Sequence, residues 1–201
     1  GTLMPPACAI VLPAAGLARR MRGGDKLLEN VDGMPLLRHV ATQALQASDH
    51  VAVTLRPSAA ERLAVIDDLP LTILRIPDAD EGMAASLRAG AGWARSIQSS
   101  ALMIALPDMP DITAADFRAL IIAQAKHPDH CLRAASADHV PGHPVILPRM
   151  YFAAMQALQG DQGAREILRA HPPYLRPLSG QRALTDLDTP EDWDAWRKAQ
   201  G

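Results

Sequence analysis

The chain has 201 residues and is 48% hydrophobic, enough for one domain with a full-sized core. A formal net charge of −2 and only 3% aromatic residues exclude a protein that coats nucleic acid, which needs a basic face and stacking platforms. No stretch reaches the roughly 20 apolar residues of a membrane span, and no basic N-terminal stretch leads into an apolar one, so a cytoplasmic location away from the membrane is expected.

Short apolar runs alternate with longer amphipathic stretches. Residues 7–12, 50–56, 71–76 and 101–106 read as strands, and 35–47, 59–67, 83–97 and 113–126 as helices. This alternation requires crossover connections and a mostly parallel sheet, the α/β class, and a run such as 101–106 with little polar alternation is covered on both faces. Ligands of such sheets sit beyond the C-terminal strand ends, here residues 14–26 and 107–110. After Lys126 the pattern loosens. Strands are expected near 131–135 and 145–147, helices at 149–158 and 163–170, strands near 175–178 and 183–187, and a last helix from Pro190. No repeat or linker divides the chain, so residues 4–201 read as a single domain. Cys8 and Cys131 lie in apolar runs and read as buried reduced thiols, as do Met83, Met103, Met109, Met150 and Met155 as core filling.

The segment after the first strand runs Leu12-Pro13-Ala14-Ala15-Gly16 and continues through Arg19, Arg20, Arg22, Gly23, Gly24 and Asp25 to Lys26. Small residues let backbone N–H groups approach an anion, and the basic side chains supply charge for a triphosphate. The segment is neither a dinucleotide fingerprint nor a Walker A loop, and a plain strand-to-helix turn with solvated arginines also explains its glycines. Lys26, followed by two leucines, is the residue that plain turn leaves over. Asp108, between Pro107 and Met109-Pro110 past a buried strand, either caps a turn or holds Mg²⁺. Thr189 and Pro190 start a helix, which leaves Asp186 and Asp188 on one side of an extended segment. If either meets Asp108, repulsion of about 4 kcal/mol at an effective dielectric of 20 calls for a cation or a raised pKa. Gly82 to Ser86 opens a helix against which a base or ribose can lie. His143 sits in a proline-rich turn, and Asp161 can cap the helix that carries Arg165.

Together these segments resemble the molybdenum cofactor cytidylyltransferase branch of the MobA-like nucleotidyltransferases. The resemblance rests on Ala14-Ala15-Gly16, Arg20-Met21, Lys26-Leu27, Gly82-Met83 with Ser86-Leu87, and Leu106-Pro107-Asp108-Met109-Pro110. It continues through Gly142-His143-Pro144, Gly160-Asp161-Gln162-Gly163-Ala164-Arg165 and residues 186–192. It implies a three-layer α/β/α nucleotide-binding domain of the nucleotide-diphospho-sugar transferase kind. It also implies that Ala14, Ala15, Gly16, Gly82 and Ser86 contact the nucleotide, that Arg20 and Lys26 hold its phosphates, and that Asp108 binds Mg²⁺ with Asp186 or Asp188. His143 and Arg165 would meet a molybdopterin acceptor, destined for a molybdoenzyme. Relatives that use GTP tend to have Leu-Ala-Gly-Gly where this chain has Leu12-Pro13-Ala14-Ala15, and the Ala-Ala-Gly form favours CTP over GTP or ATP. The chain departs from the family at Ala18, usually serine, at Arg22, usually glycine, and in one extra loop residue before Lys26. The implied reaction is transfer of CMP to the cofactor phosphate with release of pyrophosphate. Two other readings stand beside it: an NAD(P)H-dependent oxidoreductase acting on a small heteroaromatic compound, and a non-catalytic cofactor carrier or insertion partner.

Overall fold

The computed structural model describes residues 4–17 and 23–201. Strand β1 (Ala9–Pro13) leads through the described part of the basic loop to a single 3-10 turn at Lys26–Leu28. A small hairpin follows, β2 (Asn30–Val31) and β3 (Met34–Pro35), then α1 (Leu36–Ala47), β4 (Val51–Leu55), α2 (Ala60–Ala64) and β5 (Thr72–Arg75). Next come α3 (Met83–Ser96), β6 (Ala101–Ile104), α4 (Ala114–Ala125), β7 (Leu132–Ala135) and β8 (Pro141–Pro148). The chain ends with α5 (Phe152–Gln156), α6 (Ala164–Ala170), β9 (Tyr174–Pro177) and α7 (Pro190–Gln200).

The seven-stranded sheet has the order β5-β4-β1-β6-β8-β7-β9. Strand β8 runs against its neighbours β6 and β7, and the other pairings are parallel. Every residue of β1, β4 and β6 is buried, as continuous apolar runs covered on both faces require. Alternate side chains divide the core. Ile10, Leu12, Met103 and Ile146 join residues of α1, α4 and Trp193 of α7, while Val11, Leu102, Ile104, Val145 and Leu147 join residues of α3, α5 and α6. The result is the expected three-layer α/β/α arrangement.

The structure corrects several expectations. Residues 183–187 are not a strand: they form a turn and an irregular segment, held by the His143 N–H donating to Ala183 O at 2.9 Å. The two backbones approach so closely that a Cβ on Gly142 would lie 2.0 Å from Ala183 O. Strand β8 begins at Pro141 instead of Val145, and the helices expected at 59–67 and 149–158 shrink to the short α2 and α5. The β2–β3 hairpin was not expected, although Asp32 and Gly33 have φ of 51° and 84°, the paired positive values of a two-residue Asp-Gly turn. Met83 and Met150 are exposed, while Met103, Met109 and Met155 are core. Cys8 and Cys131 are buried free thiols, and burial pushes their pKa values up to about 12 and about 11.

Candidate functional site

From β1 the chain crosses to β4 and β5 on one side, and α3 then carries it back to β6 on the other. The connections therefore diverge at the C-terminal end of β1, which opens a crevice there. A cleft of about 600 Å³ occupies that position, walled by the 13–17 turn, Lys26, residues 79–83 and residues 106–108.

The floor is built by backbone anchoring. The Ala14 N–H donates to both Thr54 O and Thr54 Oγ1 at 3.1 Å, and Thr54 Oγ1 lies 2.9 Å from Ser86 Oγ. Arg62, buried under the turn, donates to Ala14 O and Gly16 O at 2.7 Å each and grips Asp25 through Nε and Nη2. Asp25 in turn accepts the Leu27 N–H at 3.0 Å and starts the turn that carries Lys26, while Leu27 is locked in the core. One guanidinium thus connects the strand exit to the base of Lys26. No sequence pattern singles out Arg62, because its bonds span 37 to 48 residues of chain.

Lys26 Nζ sits between two carboxylates, 3.0 Å from Asp108 Oδ2 and 2.5 Å from Asp188 Oδ1. Leu187, buried between Asp186 and Asp188, donates its N–H to Asp108 O at 3.0 Å and so ties the segment before α7 to the end of β6. Thr189 caps α7 with Pro190 behind it, as the sequence indicates. Ligand atoms of Asp108, Asp186 and Asp188 lie within 4.8 Å of one another. Burial first, then neighbouring Asp188 and Asp186, keep the Asp108 carboxyl above its ordinary pKa against the pull of Lys26. Burial and Asp188 do the same to Asp186. Burial would lower Lys26, but the two carboxylates outweigh it and hold the ammonium above its usual value. Acid repulsion is therefore met by a lysine and raised carboxyl pKa values together.

The donor set suits a divalent cation. Asp108 Oδ1 is buried without a hydrogen-bond partner among the described residues, three carboxylates converge, and hard oxygen donors are what magnesium takes. Oxygens on one octahedral magnesium lie about 3 Å apart when adjacent and about 4.2 Å when opposite, so the three carboxylates must close in to share one ion.

Opposite this cluster, Gly82 has φ 126°, and a Cβ there would meet Asp161 Oδ1 at 2.3 Å and Gly160 O at 2.6 Å. Asp161 lines the cleft and is not the helix cap expected: the residue capping α6 is Gly163, whose N–H donates to Glu166 at 3.0 Å. Glu81 and Arg88 pair and brace the same loop through Gly160 N and Leu158 O.

Of the expected nucleotide and phosphate residues, Ala14, Ala15, Gly16, Lys26, Gly82, Ser86 and Asp108 all line the cleft. Ser86 is 4% exposed and spends its hydroxyl on Thr54. Arg20 lies outside the described residues. His143 and Arg165 are not on the cleft wall and belong to a second basic group with Arg133, whose Nε donates to Gly142 O at 2.8 Å. Burial, then the Arg133 charge, pushes His143 down to about 4, and its Nδ1 is buried without a partner among the described residues. Arg56, Arg62, Asp80 and Glu81 are cleft residues the sequence did not single out, and Asp161, expected as a helix cap, is another cleft residue.

The mostly parallel sheet with helices on both faces is the nucleotide-diphospho-sugar transferase fold. Residues 9–174 match the MobA-like NTP transferase domain, and the chain belongs to that family. The chain is 26% identical to the purine catabolism protein PucB of Bacillus subtilis, covering 94% of this chain and 95% of PucB. It is 26% identical to a molybdenum cofactor guanylyltransferase of Pseudomonas syringae, covering 92% and 90% of the two chains. Among solved structures, Rv0371c of Mycobacterium tuberculosis superposes with a TM-score of 0.81 at 25% identity, over 97% of this chain and all of that one. A manganese complex of Rv0371c superposes with a TM-score of 0.74 at 24% identity, over 96% and 99% of the two chains.

Proposed function

We propose that this protein transfers CMP from CTP to the terminal phosphate of a molybdopterin cofactor and releases pyrophosphate. The observation that carries the choice of base is the pair Ala14 and Ala15, both buried at the cleft floor where relatives that use GTP tend to have glycines. Their methyl groups narrow the floor against a purine. The acceptor is taken from the guanylyltransferase relatives, whose names specify molybdenum cofactor. Those names also favour a second reading, transfer of GMP from GTP to the same acceptor.

In-line attack of a phosphate oxygen on the α-phosphorus forms one P–O bond and breaks the bond to the pyrophosphate. It needs positioning and charge neutralisation more than a protein nucleophile. Asp108 and Asp188, with Asp186 beside them, would hold Mg²⁺, and the manganese in the Rv0371c complex is in keeping with a divalent ion on this fold. The chemistry such an ion supplies is neutralisation of phosphate charge. Lys26 leaves its carboxylates to meet the triphosphate, with Arg20 as its expected companion. Arg62 keeps the Ala14 and Gly16 carbonyls turned away from the phosphates, so that the turn offers N–H groups to the anion.

The test is pyrophosphate release with Mg²⁺ and CTP, GTP or ATP in turn, with and without molybdopterin cofactor. Cofactor-dependent release with CTP is expected. Release with GTP alone would replace the base, and release with none, together with NAD(P)H oxidation or tight cofactor binding, would turn the reading to the redox or carrier alternative.

A further inference from the structure

Among the described residues, four buried side-chain nitrogen or oxygen atoms lack a hydrogen-bond partner, and two belong to residues lining the cleft: Asp108 Oδ1 and Arg56 Nε. A buried donor in a cleft wall calls for an acceptor, and a ligand atom can supply it. Arg56 follows β4, Asp80 follows β5, and Asp108 follows β6, across the sheet order β5-β4-β1-β6. With strands about 4.8 Å apart, Arg56 stands two strands, about 10 Å, from the carboxylate cluster. A nucleotide whose phosphates lie at the Lys26 and Asp108 end therefore has its base at the Arg56 end. The wall there suits a flat ring, because Ala15 and Ala79 line it and are packed against Ile76 and Ala85.

We propose that Arg56 reads the base and selects those that present two adjacent acceptors. Asp80 accepts from Arg56 Nη1 at 2.5 Å and occupies that corner of the guanidinium. The opposite edge carries the Nε–H and Nη2–H groups in parallel. That edge matches N3 and O2 of cytosine or N7 and O6 of guanine. Adenine places an amino donor beside N1 and N7, and uracil places N3–H between its oxygens, so both leave one guanidinium N–H unpaired. The inference rests on the nucleotide-transfer reading but not on its choice of CTP.

Equilibrium binding of CTP, GTP, ATP and UTP to the full chain, by titration calorimetry, tests it. The unaltered protein should bind CTP or GTP about tenfold or more tightly than ATP and UTP, the scale of one bidentate contact. Arg56→Gln and Arg56→Lys should both bring the four nucleotides within about threefold of one another, since lysine keeps the charge but not the fork. Recovery of discrimination by Arg56→Lys, uniform weakening of all four, or no preference in the unaltered protein would overturn the proposal. A melting curve checks folding, and if both variants fail to fold, Asp80→Asn, which frees the fork, should reduce the preference; an unchanged preference would count against the proposal. A preference for GTP over CTP would sink the CMP reading and leave Arg56 in its role. Absence of binding to any nucleotide would remove both.

Discussion

Lys26 stands where a cation would, bonded to two of the three carboxylates that would hold one. Replacing its ammonium by the apolar Lys26→Met removes a competitor for Asp108 and Asp188. The variant should bind Mn²⁺ about tenfold more tightly than the unaltered protein in the absence of nucleotide, measured by electron paramagnetic resonance titration. Its turnover should fall by about two orders of magnitude or more, because a charge aimed at the leaving group is lost. Weaker Mn²⁺ binding would mean the lysine assists the metal site. Gly82 is constrained by shape alone: its φ is 126°, and an added methyl meets the backbone carbonyl of Gly160 as well as Asp161. Gly82→Ala should lower stability by about 2–4 kcal/mol in urea unfolding. Removing the Asp161 side chain in the same protein should not restore it, since the carbonyl at 2.6 Å remains.

The short α2 acts on the site through one residue. Arg62 is 8% exposed and bonded to two carbonyls and a carboxylate. Arg62→Met leaves Asp25 uncompensated and frees the turn, so stability should drop by about 3–5 kcal/mol. Steady-state kinetics should then show KM for nucleotide rising more than kcat falls; a change confined to kcat would mean the turn does not bind the nucleotide. The contrast among elements shows what a sequence makes legible. Strands β1, β4 and β6 are apolar but for Thr54 because both faces are covered, so a local window suffices. Helix α7 was equally clear, since Thr189, Pro190 and the acids of its first turn carry the whole signal. Residues 183–187 have a strand's composition, but Gln181 O accepts from Leu184 N and Thr185 N, and the segment turns away from any ladder. Lys26 and Asp108 stand out as site residues by their local settings. Arg62 and Arg56 do not, because what makes them matter is assembled by the fold.

At the scale of the whole molecule the site joins residues 162 positions apart, Lys26 and Asp188, so unfolding and loss of the acid cluster are one event. The ionisable groups of the molecule answer acid in opposite directions. Asp108 and Asp186, raised by burial, take up protons in the folded chain before the unfolded one, so they add stability as pH falls toward the ordinary carboxyl range. His143 does the reverse. Burial and Arg133 hold its folded pKa at about 4, while in the unfolded chain it titrates at its ordinary value of 6.5. Between these values the unfolded chain binds a proton that the folded chain refuses. Stability that is full above pH 6.5 is therefore lost as pH falls toward about 4, by ~3 kcal/mol at 1.36 kcal/mol per unit. His143→Asn keeps a polar side chain and cannot titrate. Urea unfolding at a series of pH values should show its stability declining by ~3 kcal/mol less than the unaltered protein across that window. Parallel curves would mean that His143 takes no part in the loss.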